Sequence, residues 1–308
     1  MENTRAKTTR NSLILLLTAT IWGMAFVSQS KGMDYMHPFT FNGVRSLIGA
    51  AGILVYILIS RKIAGDKAAK LDWKLNVKAG LLCGIFLTIA STLQQFGIKY
   101  TSVGKAGFIT TLYIIFVPMF GVFLKKKVAP VVWAAAGMAA VGMYLLCMTE
   151  SLRLGAGDIM VFLCTIAFAI QIMTVDHYAA RIDGAVVSCI QFTVCGVVCC
   201  IGALIWGQPT FGQIQEGLGA LLYAGVLSCG VGYTLQIVGQ KGLNPTVAAL
   251  IMSLESVIAT ISGWIAYKIG FLSTDQTLTP RQIAGCIIVF AAVILVQLPP
   301  EWFRFGKK

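Results

Sequence analysis

The sequence is short of charge. Asp, Glu, Lys and Arg together make up 12% of its 308 residues, about half the roughly 25% of an ordinary soluble chain. A soluble domain of this length needs a charged skin, so that class is excluded. The 57% of hydrophobic residues and the mean hydropathy of +0.81 point the same way. Histidine is scarcer still: His37 and His177 are the two present, and neither belongs to an H-E-x-x-H. No Walker sequence appears either, which speaks against ATP-driven pumping by this chain. The nine cysteines all fall inside apolar segments and no two form a C-x-x-C pair. They read as small core hydrophobes rather than as a metal or disulfide framework. No cofactor, no metal and no catalytic residue is expected.

What is present is a series of apolar runs, and about 20 such residues cross a bilayer as a helix. Ten can be counted: Ser12 to Ser30, Phe39 to Ile59, Ala79 to Ile98, Ala106 to Leu124, Pro130 to Met148, Gly157 to Thr174, Ala185 to Trp206, Leu218 to Val238, Thr246 to Tyr267 and Gln282 to Leu298. The fold class this predicts is an all-α polytopic membrane protein. The basic amino end lacks an A-x-A-like cleavage site, so the first run reads as an uncleaved span. The net charge of +12 is spread in short runs between the spans, a pattern of topology signals and lipid contacts rather than of nucleic-acid binding. With both termini on one side, that side collects 17 Lys and Arg against 6 opposite, Arg45 alone lying within a span. The positive-inside rule then puts both termini in the cytoplasm and favours an even number of spans.

An internal repeat sharpens this. Thr92-Leu93-Gln94 with Gly97 and Lys99 recurs 142 residues later as Thr234-Leu235-Gln236 with Gly239 and Lys241. Carried on without a gap, the same offset pairs Ala106, Ile109, Leu112 and Gly121 with Ala248, Ile251, Leu254 and Gly263. Ala25-Phe26-x-x-Gln29 likewise reappears as Ala167-Phe168-x-x-Gln171. The chain therefore divides into two related halves, about 1–148 and 149–308, each with five spans. Five is odd, so the second half enters the membrane from the opposite face. Two inverted five-helix repeats can exchange inward-open and outward-open states around one central site.

Polar side chains inside spans are costly unless they meet partners or water. Thr18, Trp22, Ala25 and Gln29 share one face of the first span, and Thr88, Thr92 and Gln95 one face of the third, with Ser91 and Gln94 beside it. Thr110 and Tyr113 follow in the fourth; Gln171 and Thr174, Tyr233 and Gln236, then Ser253 and Glu255 answer in the second half. Singly, each reads as an interhelical hydrogen bond worth about 1 kcal/mol. As a set they line a shared cavity. Glu255 is the sharpest of them, because a mid-span carboxylate costs about 2.5–3.5 kcal/mol on insertion scales. It reads as a proton-coupling group, a ligand for an amine, or a structural carboxyl; its repeat counterpart is Tyr113. Arg45 reads as structural, either snorkelling to the outer surface or pairing with a polar group in the bundle, with recognition of a substrate carboxylate as the lesser alternative. Gly80 and Gly84, and Ala224, Ser228 and Gly232, carry the spacing of close helix packing. Gly155-Ala156-Gly157-Asp158 matches the G-x-G-D of intramembrane aspartyl proteases, but no second aspartate lies within a span to complete the dyad.

These features together resemble the EamA-type branch of the drug/metabolite transporter superfamily. Ile21-Trp22-Gly23 resembles the family's opening, His37-Pro38 with Arg45 its second span, and Gly157-Asp158 the start of its second half. Ser253-Leu254-Glu255 resembles S-L-E-P of the ninth span, and Ala284-Gly285 the start of the last. Ser256 stands where the family usually has proline, which leaves a helix break there unsupported; the family's G-E pairs after the fourth and ninth spans are absent. The resemblance implies transport of amino acids, other metabolites or toxic organic compounds through a cavity between the halves. The expectation is a secondary active transporter for a small organic solute in the cytoplasmic membrane, working by alternating access. Trp22, Gln29, Gln94, Tyr113, Gln171, Tyr233, Gln236 and Glu255 are expected to form its substrate cavity. The expected partners are the solute and the lipid bilayer, with a coupling proton and a homodimer left open and no nucleic acid. A passive facilitator or channel is the alternative, and a membrane-embedded enzyme or scaffold a more distant one.

Overall fold

In lipid, every backbone N–H and C=O must find its partner within the segment, so charge-free apolar runs fold as helices. The computed structural model describes residues 2–65, 71–125, 128–147, 155–273 and 276–297, and all regular structure among them is helical. The helices are α1 (Glu2–Gly32), α2 (Pro38–Ala64), α3 (Trp73–Ile98), α4 (Val103–Thr111), α5 (Tyr113–Phe123), α6 (Pro130–Cys147) and α7 (Ala156–Tyr178). The second half continues with α8 (Gly184–Gly202), α9 (Phe211–Glu216), α10 (Leu218–Leu222), α11 (Tyr233–Gln240), α12 (Pro245–Met252), α13 (Leu254–Lys268) and α14 (Pro280–Gln297). Wider π-helical turns extend α8 over Ala203–Gly207 and join α10 to α11 over Tyr223–Gly232.

Among the described residues, 8 helical stretches are long and apolar enough to cross a membrane. Two shorter apolar helices, α6 and α14, stand at the fifth and tenth places. The ten predicted spans are thus eight on length alone. The ends of the fifth and tenth predicted segments, Met148 and Leu298, lie outside the described residues, as does the predicted boundary between the halves. So do Lys67, Lys70, Lys126, Lys127, Arg153, Arg304, Lys307 and Lys308 of the charge count.

Helix α2 packs along α8, α3 along α7 and α8, α1 along α11 and α13, and α6 along α14. A shift of 142 residues turns the α3–α7 contact into the α11–α1 contact and returns α2–α8 to itself. Helices α1–α6 and helices α7–α14 are therefore interleaved rather than set side by side. Phe26, Leu87, Ile114, Leu250 and Met252 are fully buried in one core, while Leu58, Leu204 and Ile287 face outward. Small residues permit the close approach: a Cβ on Gly80 would sit 2.7 Å from Ile190 and one on Gly84 2.9 Å from Val194, both on α8.

Side chains cap the helix starts. Asp72, Ser102, Asp183 and Asn244 accept from backbone N–H groups at the starts of α3, α4, α8 and α12. Ser102 and Asn244 are 142 residues apart, so the repeat extends to the cap. His37 caps α2 with Nδ1 accepting from the Phe39 N–H. Burial and the positive charge of Lys99 hold its imidazole below the usual value, which keeps that nitrogen free to accept.

Candidate functional site

The fourth and ninth predicted spans are each broken near the middle. The first is interrupted at Leu112, between α4 and α5, and the second at Ser253, between α12 and α13. At both points ψ relaxes toward zero (−7° and −15°) and tight i to i+3 bonds replace the α pattern, from Ile115 N–H to Leu112 O and from Ser256 N–H to Ser253 O. Hydroxyls returning to nearby carbonyls supply a local cause: Thr111 donates to Phe108 O, Ser253 to Leu250 O and Ser256 to Ser253 O. The ninth span thus breaks at Ser253 without the proline that Ser256 replaces, a point the sequence left open. The two breaks are repeat-related to within one residue; Tyr113 follows directly after the first and Glu255 two residues after the second.

Those two side chains meet. The Tyr113 hydroxyl donates to Glu255 Oε1 at 3.0 Å, both groups buried. Around them lies a cavity of about 40 Å³. All eight residues singled out from sequence line it: Trp22, Gln29, Gln94, Tyr113, Gln171, Tyr233, Gln236 and Glu255. Gln236 Nε2 donates to Gln171 Oε1 at 3.2 Å, and Gln94 Nε2 to Thr110 Oγ1 at 3.2 Å. Trp22 and Tyr233 pack with ring centroids 4.5 Å apart, and Phe192 meets Tyr233 edge-on at 5.0 Å. The Trp22 indole also donates to Ser228 O at 3.4 Å, on the π-helical turn, a feature frequent at functional sites.

Other in-span polar residues are spent on their own helices or neighbours. Thr18, Thr88 and Thr174 donate to carbonyls four residues back, and Gln95 Nε2 donates to Gln29 O. Arg45 takes the second of the two structural courses the sequence left open, pairing with a polar group in the bundle. It does not snorkel to the surface: it is 5% exposed, lines the cavity, donates from Nε to Asn42 Oδ1 at 2.8 Å and lies over the Phe41 ring. Asn42 itself is a wall residue the sequence reading passed over. Its signal was the i, i+3 spacing to Arg45 on one helix face.

The G-x-G-D aspartate has a structural partner set. Asp158 accepts from the Gly155 N–H at 2.9 Å, the Thr101 hydroxyl at 2.8 Å and Lys105 Nζ at 2.6 Å. Lys105 stands on α4 and Asp158 on α7, so this ion pair ties those two helices together at one face of the bundle.

An all-helical bundle of apolar segments long enough to span a membrane, packed around a buried polar pocket, defines a polytopic membrane protein. The model of the EamA-like transporter family matches it twice, over residues 10–148 and 155–298. The chain belongs to that family of membrane transporters. It is 28% identical over 290 residues to an uncharacterized transporter of Archaeoglobus fulgidus, covering 92% of this chain and 84% of that one. It is 24% identical over 295 residues to the uncharacterized transporter YwfM of Bacillus subtilis, covering 94% of each. A solved crystal structure of a protein superposes with a TM-score of 0.74 at 16% identity, over 96% of this chain and 99% of that one. That is a likeness of fold.

Proposed function

We propose that this chain is a secondary transporter of the cytoplasmic membrane, moving a small neutral or zwitterionic organic solute by alternating access between two inverted five-span halves. The observation that carries the reading is the Tyr113–Glu255 hydrogen bond. The two residues are repeat mates, 142 positions apart, and a residue that touches its own mate sits on the axis relating the halves. Each also follows a break in its helix, where freed backbone groups can serve a ligand. Site, symmetry and helix discontinuity thus coincide.

The cavity volume adds to this. About 40 Å³ is room for roughly two or three waters, too little for a metabolite, so cargo enters only when the halves part. A permanently open pore is disfavoured for the same reason. Amides that both donate and accept suit a neutral or zwitterionic cargo. The loop charges support cytoplasmic termini and a face carrying Lys99 and Lys105 directed outward.

Glu255 is the coupling group in this reading. The test is uptake into liposomes, with and without a pH gradient, for the wild type and Glu255→Gln. Accumulation driven by the gradient is expected in the wild type and lost in the variant, while substrate binding stays measurable. Transport by Glu255→Gln with an unchanged pH dependence refutes proton coupling through this carboxyl. Flux that never saturates and never runs against a concentration gradient would make the chain a facilitator.

A further inference from the structure

The cavity wall carries one positive side chain, and its hydrogen-bonding capacity is largely unspent. Arg45 presents five N–H donors. Its Nε is bound to Asn42. Among the described residues no acceptor meets Nη1 or Nη2, and no ion pair joins Arg45 to Glu255 or to any other acid. At 5% exposure it is buried as deeply as a core residue. A buried guanidinium without an anion is costly, and the fork that remains free matches the two oxygens of a carboxylate. Asn42 fixes the orientation of the group, and the Phe41 ring lies beneath it at 5.4 Å.

The same wall offers free acceptors. Gln29 Oε1 is buried with no partner among the described residues, and Glu255 has its Oε1 on Tyr113. Among the lining residues Arg45 is the lone cation and Glu255 the lone acid. A phosphate ester, at about −1.5 to −2, would bring charge that one guanidinium does not balance. A single carboxylate would be matched, and a cargo ammonium would find Gln29 and Glu255.

We propose that Arg45, held by Asn42, is the carboxylate-binding residue of this cavity, and that the cargo is a zwitterion carrying one carboxylate and one ammonium group, as an amino acid does. The inference rests on the cavity being the transport site. It assigns to Arg45 a specificity role that its position in the second span left as the lesser alternative to a structural one.

The test uses purified protein with a panel of amino acids, each beside its amide and its decarboxylated amine. Binding is read by thermal stabilisation and flux by uptake into liposomes. At least one amino acid is expected to bind, with its amide and its amine at least about tenfold weaker, the ratio that one charge-assisted contact supplies. Arg45→Gln is expected to weaken the amino acid by at least the same factor and to leave the amide nearly unchanged. Arg45→Lys keeps the charge, loses the fork and should fall between. Should Arg45→Gln fail to fold, the lysine variant and the amide comparison on the wild type still decide the matter. Amides that bind as well as acids, or no binding of any amino acid by the wild type, overturn the inference. Flux of a carboxylate-free solute that Arg45→Gln leaves unchanged also overturns it while the transporter reading stands. No flux of any solute, charged or neutral, overturns both.

Discussion

Removing the lysine of the ion pair that ties α4 to α7 should loosen one face of the bundle. In Lys105→Met, Asp158 loses the partner at 2.6 Å and keeps the Thr101 hydroxyl and the Gly155 N–H. The Asp158 side chain is 4% exposed and that of Lys105 21%, so the pair is neither fully dry nor a surface contact. A hydrogen bond to a charged group contributes about 1.5–3 kcal/mol, and an exposed ion pair about 0–1 kcal/mol. The mixed burial puts the loss near the junction of these ranges, at about 1.5 kcal/mol. In the proposed alternating-access cycle, that interaction exists only in the state closed at this face. Its removal therefore raises the population open there by about tenfold. Cys229 lines the cavity and is 2% exposed, which makes it a native reporter. In a variant keeping Cys229 as its sole cysteine, a membrane-impermeant maleimide applied outside intact cells should label about tenfold faster once Lys105 is methionine. An unchanged rate, or faster labelling only from the cytoplasmic side, would refute the reasoning.

Two further outcomes are expected. A Cβ on Gly225 would stand 2.8 Å from Ile48 Cβ and 2.9 Å from the Arg45 carbonyl, so Gly225→Ala should lose about 1–3 kcal/mol through overpacking; thermal unfolding in detergent reads this, with Gly52→Ala, which meets nothing within 4 Å, as the neutral control. Lys99 and Lys241, repeat mates, should react with impermeant amine reagents from opposite faces of the membrane, and labelling of both from the same face would remove the inverted arrangement.

Much of the site can be read in the chain because the bilayer makes polar residues expensive. Gln29, Gln94, Gln171 and Gln236 stand out against apolar neighbours, and the 142-residue offset pairs the first with the third and the second with the fourth. The structure brings all of them around one cavity. Arg45 was legible as an anomaly but not as a wall residue: a long side chain two turns into a span reaches either the interface or the interior, and periodicity does not choose. The breaks at Leu112 and Ser253 were hidden for a related reason. Hydroxyl back-bonding depends on rotamers, whereas the proline that would have announced a break is absent at Ser256.

By itself the amino-acid order determined the membrane class, the apolar segments, the duplication and the polar set, since each follows from the transfer cost of single residues and from identities at a fixed spacing. Which side chains touch was decided by packing. The contact of Tyr113 with Glu255, the Lys105–Asp158 tie and the unfilled fork of Arg45 depend on how each helix is rotated and how closely its small residues let a neighbour approach. Helical periodicity names the face a residue occupies; only the folded bundle determines what stands opposite it.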